Sequence, residues 1–205
     1  PIELGWSYVL AASTREGEEA LVARAWATVA DRERLLVIAP RHPERRDGIL
    51  ADLRRRGWTV AVRSRGELVT ADTTIYLADT LGELAGLLAG AEVVFMGGSL
   101  VPKGGHNVLE PAAIGRAIVT GPHSANFADE VAALRAAGAL WQVDSPEGLA
   151  AAWQRLLAGP DTRAALAEAA RAVVAEREHV LTDYRAELAA WCPSVLGGVN
   201  PSTSR

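Results

Sequence analysis

The chain has 205 residues, of which 49% are hydrophobic and 22% charged, with a formal net charge of −4. That length can bury one sizeable core and favours a single domain, while the acidic balance argues against a nucleic-acid binder, whose footprint is basic. One cysteine, Cys192, excludes an intrachain disulfide and a cysteine-rich zinc site, and no apolar run reaches the roughly 18 residues of a membrane span.

The start, Pro1 to Leu4, has neither the charged opening nor the apolar stretch of a signal peptide. It also lacks an initiator methionine, so a fragment of a longer protein is expected. Short apolar runs rich in β-branched residues then alternate with amphipathic stretches. This predicts an α/β fold, a Rossmann-like doubly wound parallel sheet of about six strands flanked by helices. Residues 8–12 read as the first strand, with Ser13 or Thr14 capping a helix whose positive end carries Glu16, Glu18 and Glu19. Residues 35–39 form the second strand, closed by Pro40, and a helix over 44–56 ends at Gly57. The third and fourth strands span 58–62 and 74–78, and Asp79-Thr80 opens a helix through Leu88. Strands over 93–96 and 116–120 enclose a glycine-rich turn and a short helix over 107–114. Helices over 125–137, 146–157 and 161–190 follow, with a short strand near 140–143. The expected domain is 1–192, and residues 193–205, rich in Gly, Ser, Pro and Thr, read as a flexible tail.

In an open parallel sheet, ligands bind outside the carboxyl ends of the strands, where the strand order switches direction. The informative residues therefore follow strands. The fullest segment runs from Gly97-Gly98-Ser99 through Lys103-Gly104-Gly105-His106-Asn107 to Glu110. Its glycine pairs let the backbone approach a ligand closely. Asn107 is placed to cap the next helix and direct its N–H groups at an anion. Lys103 and His106 add charge or hydrogen bonds, and the two oxygens of Glu110 suit vicinal ribose hydroxyls. After the first strand, Ser13-Thr14-Arg15-Glu16 offers an anion-binding arginine. After the second, Arg41 and His42 suit a phosphate. Asp79, Thr80 and Glu83 follow the fourth strand, and His123 and Asn126 the sixth. The segment fits neither a Walker A loop nor the dinucleotide fingerprint, and no metal-ligand motif is present. The basic stretches 41–46 and 54–56 read as solvated surface.

Four of these segments resemble motifs of bacterial 3-deoxy-D-manno-octulosonic acid (Kdo) transferases: Ser13-Thr14-Arg15-Glu16-Gly17-Glu18-Glu19, Ala39-Pro40-Arg41-His42-Pro43-Glu44-Arg45, Asp79-Thr80-Leu81-Gly82-Glu83-Leu84, and Gly97 through Ala113. Gly121-Pro122-His123 with Asn126-Phe127 continues the likeness across most of residues 5–190. The resemblance implies one half of a two-domain GT-B fold that transfers Kdo from CMP-Kdo to the lipid A precursor at the cytoplasmic face of the inner membrane. It implies that this half binds the donor, with no further cofactor. The acceptor contacts, any membrane contact and the catalytic base then belong to an N-terminal domain absent from the chain, so no catalytic residue is expected here. Arg15, Lys103, His106 and Asn107 are expected near the phosphate or the Kdo carboxylate. Glu110 is expected at the ribose, with Arg41 and His42 lining the cleft. The same residues also suit a UDP-sugar transferase or epimerase of that architecture, or a non-catalytic sugar-nucleotide module.

Overall fold

In the computed structural model the description covers residues 5–29, 31 and 33–191, with side chains through residue 177 and at His179. The expectations for Pro1 to Leu4, Cys192 and the tail 193–205 lie outside the described residues. Strand β1 (Ser7–Thr14) is the centre of the molecule, and every residue after Ser7 in it is buried. Because strand side chains alternate between faces, β1 feeds two cores. Val9 and Ala11 pack with Val22, Trp26, Ile49, Leu53, Leu149 and Trp153. Tyr8, Leu10 and Ala12 pack with Leu87, Leu88, Ala112, Leu134 and Ala170 on the other face. A strand covered on both faces reads as a continuous apolar run, which is the pattern of Tyr8 to Ala12.

The other strands are β2 (Arg34–Pro40), β3 (Val60–Val62), β4 (Ile75–Leu77), β5 (Val93–Met96), β6 (Ala117–Thr120) and β7 (Leu140–Gln142). They form one sheet in the order β3-β4-β2-β1-β5-β6-β7, and every pairing is parallel. The short run near 140–143 thus joins the sheet as a seventh, edge strand. Val9 lies opposite Leu36 on one side and Val93 on the other. Chain order leaves β1 toward β2, then returns to place β5 on the opposite flank, so the switch point is the gap between the carboxyl ends of β1 and β5.

Helices α1 (Glu18–Val29), α2 (Arg46–Arg55), α3 (Leu84–Gly90), α4 (Leu109–Ala113), α5 (Ala128–Ala136), α6 (Pro146–Ala158) and α7 (Pro160–Trp191) flank the sheet. Ser145 caps α6 by accepting from the Gly148 N–H at 3.2 Å. Gly57 stops the chain after α2 at φ +89°, as expected of a glycine just past a helix. Two helix starts differ from expectation. Thr14 is the last residue of β1, and its hydroxyl donates to Glu19 instead of accepting from the α1 backbone. Helix α3 begins at Leu84 and not at Asp79-Thr80, because both side chains are committed elsewhere: Asp79 accepts from Ser64 and Thr80 donates to Glu83. Among the described residues no helix is long and apolar enough to cross a membrane.

Candidate functional site

The crevice between β1 and β5 depends on close backbone approach. A side chain at Gly97 would bring Cβ within 2.7 Å of the Ser13 carbonyl oxygen and of the Thr14 Cα. Gly97 is therefore a packing requirement between strand ends. Ser13 sits at φ +55°, beside the irregularity in the β1–β2 register at residues 12–14. At Gly98, φ +69°, the nearest neighbours of an added Cβ would be the ring of His106 and the stem of Arg15, each 3.2–3.3 Å away. Two residues far apart in the chain are thus stacked at one glycine.

The segment after β5 is tied down on both sides. Ser99 is fully buried. Its hydroxyl donates to the Met96 carbonyl at 2.5 Å and accepts from the Gly121 N–H at 2.8 Å. The hydroxyl is thus held between the loop after β5 and the end of β6. The Gly105 N–H reaches the Gly98 carbonyl at 2.9 Å, the Asn126 N–H the Gly104 carbonyl at 3.0 Å, and the His123 N–H the Ser99 carbonyl at 3.0 Å. The loops after β5 and β6 therefore form one rim. Asn126 lies against Gly104 and the 123–124 backbone against Gly105. Asn107 accepts from the Leu109 N–H at 3.0 Å and donates to Glu110 at 3.2 Å. It is not the N-cap of α4, which is Val108, but from one position earlier it satisfies the first helical N–H and holds the exposed Glu110 carboxylate at the rim.

Arg15, Arg41, His42 and His106 gather near Gly98, whose own N–H is taken by the buried Glu18 carboxylate. Arg15 Nη1 lies 3.1 Å from His42 Nε2. A guanidinium only donates, so Nε2 is the acceptor in this contact, and Nδ1 faces Glu44 at 3.2 Å. Burial depresses the His106 pKa, and the nearby charges of Arg15, Arg41 and His42 depress it further. His106 Nε2 is buried with no hydrogen-bond partner among the described residues. The Arg41 and Lys103 side chains are exposed and make no hydrogen bond or ion pair among the described residues. This is an electropositive crevice with one buried polar atom unsatisfied, a configuration that an anion would complete.

Other expected residues are placed elsewhere. Thr14 is fully buried in a chain that runs through Glu19 to a bidentate pair with Arg45 at 3.0 and 3.1 Å. Glu16 is exposed. Asp79 accepts from the Ser64 N–H at 2.9 Å and the Ser64 hydroxyl at 2.5 Å. Glu83 takes Arg63 at 2.7 and 3.1 Å and the Thr80 hydroxyl, and that pairing with Arg63 holds its carboxyl below the usual range. Asp79, Thr80 and Glu83 are thus satisfied within the loops that follow β3 and β4. A cavity of about 500 Å³ lined by Trp26, Arg34, Trp58, Asp72 and Thr74 opens at the opposite, amino end of the strands. Sequence reading missed one member of the site, Glu18. It was assigned only a favourable place in the helix dipole, yet it is fully buried and accepts from four backbone N–H groups. Nothing in the local spelling Gly17-Glu18-Glu19 separates the inward carboxylate from its neighbour, because three of its four partners lie some 80 residues away.

With this geometry in view, the chain is similar to the 3-deoxy-D-manno-octulosonic acid transferase of Bordetella pertussis, 39% identical over 175 residues. That match covers 82% of this chain and 41% of the relative. The transferase of Haemophilus influenzae is 33% identical over 175 residues, covering 84% and 41%. The chain therefore spans about two-fifths of the length of these curated relatives. Among solved structures, the C-terminal CMP-Kdo binding domain of WaaA from Acinetobacter baumannii superposes with a TM-score of 0.79 at 34% identity, covering 82% of this chain and 89% of that one. No family model matches the chain.

Proposed function

The chain belongs to the 3-deoxy-D-manno-octulosonic acid transferase family, and on that premise we propose that it is the donor-binding half of a GT-B glycosyltransferase, with CMP-Kdo as its donor. The observation that carries this reading is the gathering of Arg15, Arg41, His42 and His106 at the β1/β5 switch point, with a buried ring nitrogen unpartnered. The relevant half of the A. baumannii protein is described as binding CMP-Kdo, and the present crevice has the charge that such a ligand requires.

In the proposed reaction the bond between the Kdo anomeric carbon and the phosphate oxygen breaks, and CMP leaves carrying the electron pair. Negative charge grows on the phosphate as it leaves. Arg15 donates charge-assisted hydrogen bonds to it, and His106 adds a further hydrogen bond from a ring already held against Gly98. An anion at this place offsets the positive field that depresses His106, so the bound ring takes up a proton more readily than the free one. Arg41 and Lys103 extend the positive surface toward the Kdo carboxylate. Glu110, steadied by Asn107, accepts from the ribose hydroxyls. The acceptor sugar of the lipid A precursor, the general base and contact with the inner membrane's cytoplasmic face are assigned to the remainder of the longer protein.

Calorimetric titration of this chain with CMP, against UMP and ADP, tests the reading. Selective binding of CMP that weakens in Glu110→Ala is the expected result. Preference for UMP would favour a UDP-sugar enzyme of the same architecture, and absence of binding to all three nucleotides would contradict a donor site in this half.

A further inference from the structure

Glycine-rich loops after a strand commonly bind anions through consecutive backbone N–H groups. Here three such groups, those of Gly98, Ser99 and Leu100, are already occupied from within the protein. Glu18 Oε2 lies 2.6 Å from the Gly98 nitrogen and 3.1 Å from the Arg15 nitrogen. Its Oε1 lies 3.0 Å from the Ser99 nitrogen and 2.9 Å from the Leu100 nitrogen. All four partners are donors, so the acceptor-only carboxylate matches them fully. Burial pushes the Glu18 carboxyl up, and the four N–H bonds work against that rise. A fully buried carboxylate is costly unless such bonds compensate it, so its place here has a structural consequence worth that cost.

The consequence concerns two groups of the proposed site. Through the Arg15 N–H, Glu18 fixes the loop after β1. Through Gly98 to Leu100, it fixes the loop after β5, and Gly98 is where the Arg15 stem and the His106 ring converge. One side chain therefore sets the separation of the two loops that bring Arg15 and His106 together. We propose that Glu18 is a positioning residue, an internal anion that fills the backbone nest of the loop after β5. The anionic group of the ligand is thereby left to the side chains of Arg15 and His106 and not to the nest. This rests on the proposed function of the crevice and adds to it the manner in which the phosphate is held.

Substitution at Glu18 separates this from a merely structural role. Gln has nearly the same shape but one acceptor oxygen, and its amide group would face two N–H donors wherever it turns. Glu18→Gln should therefore weaken CMP binding as much as Glu18→Ala, by about tenfold or more. Millimolar formate, but not chloride, should restore binding to Glu18→Ala by refilling the nest, and should do nothing for the wild type or Glu18→Gln. In the ligand-free chain, amide exchange at Gly98, Ser99 and Leu100 should be slow in the wild type, fast at all three in Glu18→Ala, and fast in Glu18→Gln at the amides that face its NH2 group. The exchange measurement needs no ligand, so it decides the Glu18 assignment even if the wild type fails to bind CMP, an outcome that would sink the proposed function alone. Tighter or unchanged CMP binding by Glu18→Gln would show that the nest is available to the ligand's phosphate and overturn the proposal, as would rapid exchange of the three amides in the wild type.

Discussion

The loops after β1 and β5 and those after β3 and β4 sit at the same end of one parallel sheet, yet they treat charge in opposite ways. At β3 and β4, Asp79 is matched by Ser64, Glu83 by Arg63 and Thr80, and Arg46 by Asp47. At β1 and β5, Arg15, Arg41, His42 and His106 gather with Glu44 at the far side of the His42 ring, while the nearby Glu18 carboxylate is taken up by backbone N–H groups. A cluster that satisfies itself holds the fold together. One that gathers basic groups around a buried, unpartnered ring nitrogen suits a ligand of opposite sign, in keeping with the way perturbed groups concentrate at functional sites. Both clusters carry polar residues just after strands, so position alone does not distinguish them.

Substitutions can break this contrast, and the largest effect is expected where both clusters depend on the sheet itself. Gly97→Ala places Cβ against the Ser13 and Thr14 backbone, where neither strand end can yield separately. A loss of about 3 kcal/mol or more in unfolding free energy is expected by urea denaturation, together with loss of CMP binding. Asp79→Ala removes both acceptors of Ser64 and should cost about 2 kcal/mol of stability. Its CMP affinity should stay within roughly twofold of wild type, as for a distant and independent site. Arg15→Ala reverses the pattern. Thermal unfolding should shift by no more than about 0.5 kcal/mol, while CMP affinity falls by about tenfold to a hundredfold with the loss of charge-assisted hydrogen bonds. An Asp79 variant that lost CMP binding without losing stability would remove the distinction between the clusters.

The smallest effect is one of pH, and its sign follows from the depressed His106 pKa. In the free chain the ring is neutral below its ordinary titration range, so the stability this lends is present above the ordinary pKa and lost as pH falls toward the depressed one. A bound phosphate raises the pKa of the ring. CMP affinity should therefore increase a few-fold as pH falls through the bound-state value and level off below the free-state value. Titrations across that window should show the rise in the wild type and a flattened profile in His106→Gln.

Much of the sheet was legible in the chain because β1, β2, β5 and β6 are buried on both faces and read as continuous apolar runs. The strand order was not legible, since β4 inserts between β2 and β3 by tertiary pairing alone. In the site, the sequence identified Arg15, His42, His106, Asn107 and Glu110 through their post-strand position and chemistry, and the structure brings the first three together and ties Asn107 to Glu110. It offered Ser99, Thr14 and Asp79 beside them, and in the fold their side chains bond the protein itself, because a polar residue after a strand has the same spelling whether it faces a ligand or the protein's own backbone. Glu18 escaped notice for the same reason: only the fold reveals which N–H groups its carboxylate meets.

The central claim, that the β1/β5 crevice holds a nucleotide phosphate while the β3/β4 cluster serves the fold, is tested most directly by following backbone amide and histidine ring signals by NMR as CMP is added. The account predicts that His106 and Arg15 respond most, together with the Gly104-Gly105 rim, while Ser64 and Asp79 stay nearly still. Shifts centred on Ser64, Asp79 and Glu83, with His106 unmoved, would contradict it.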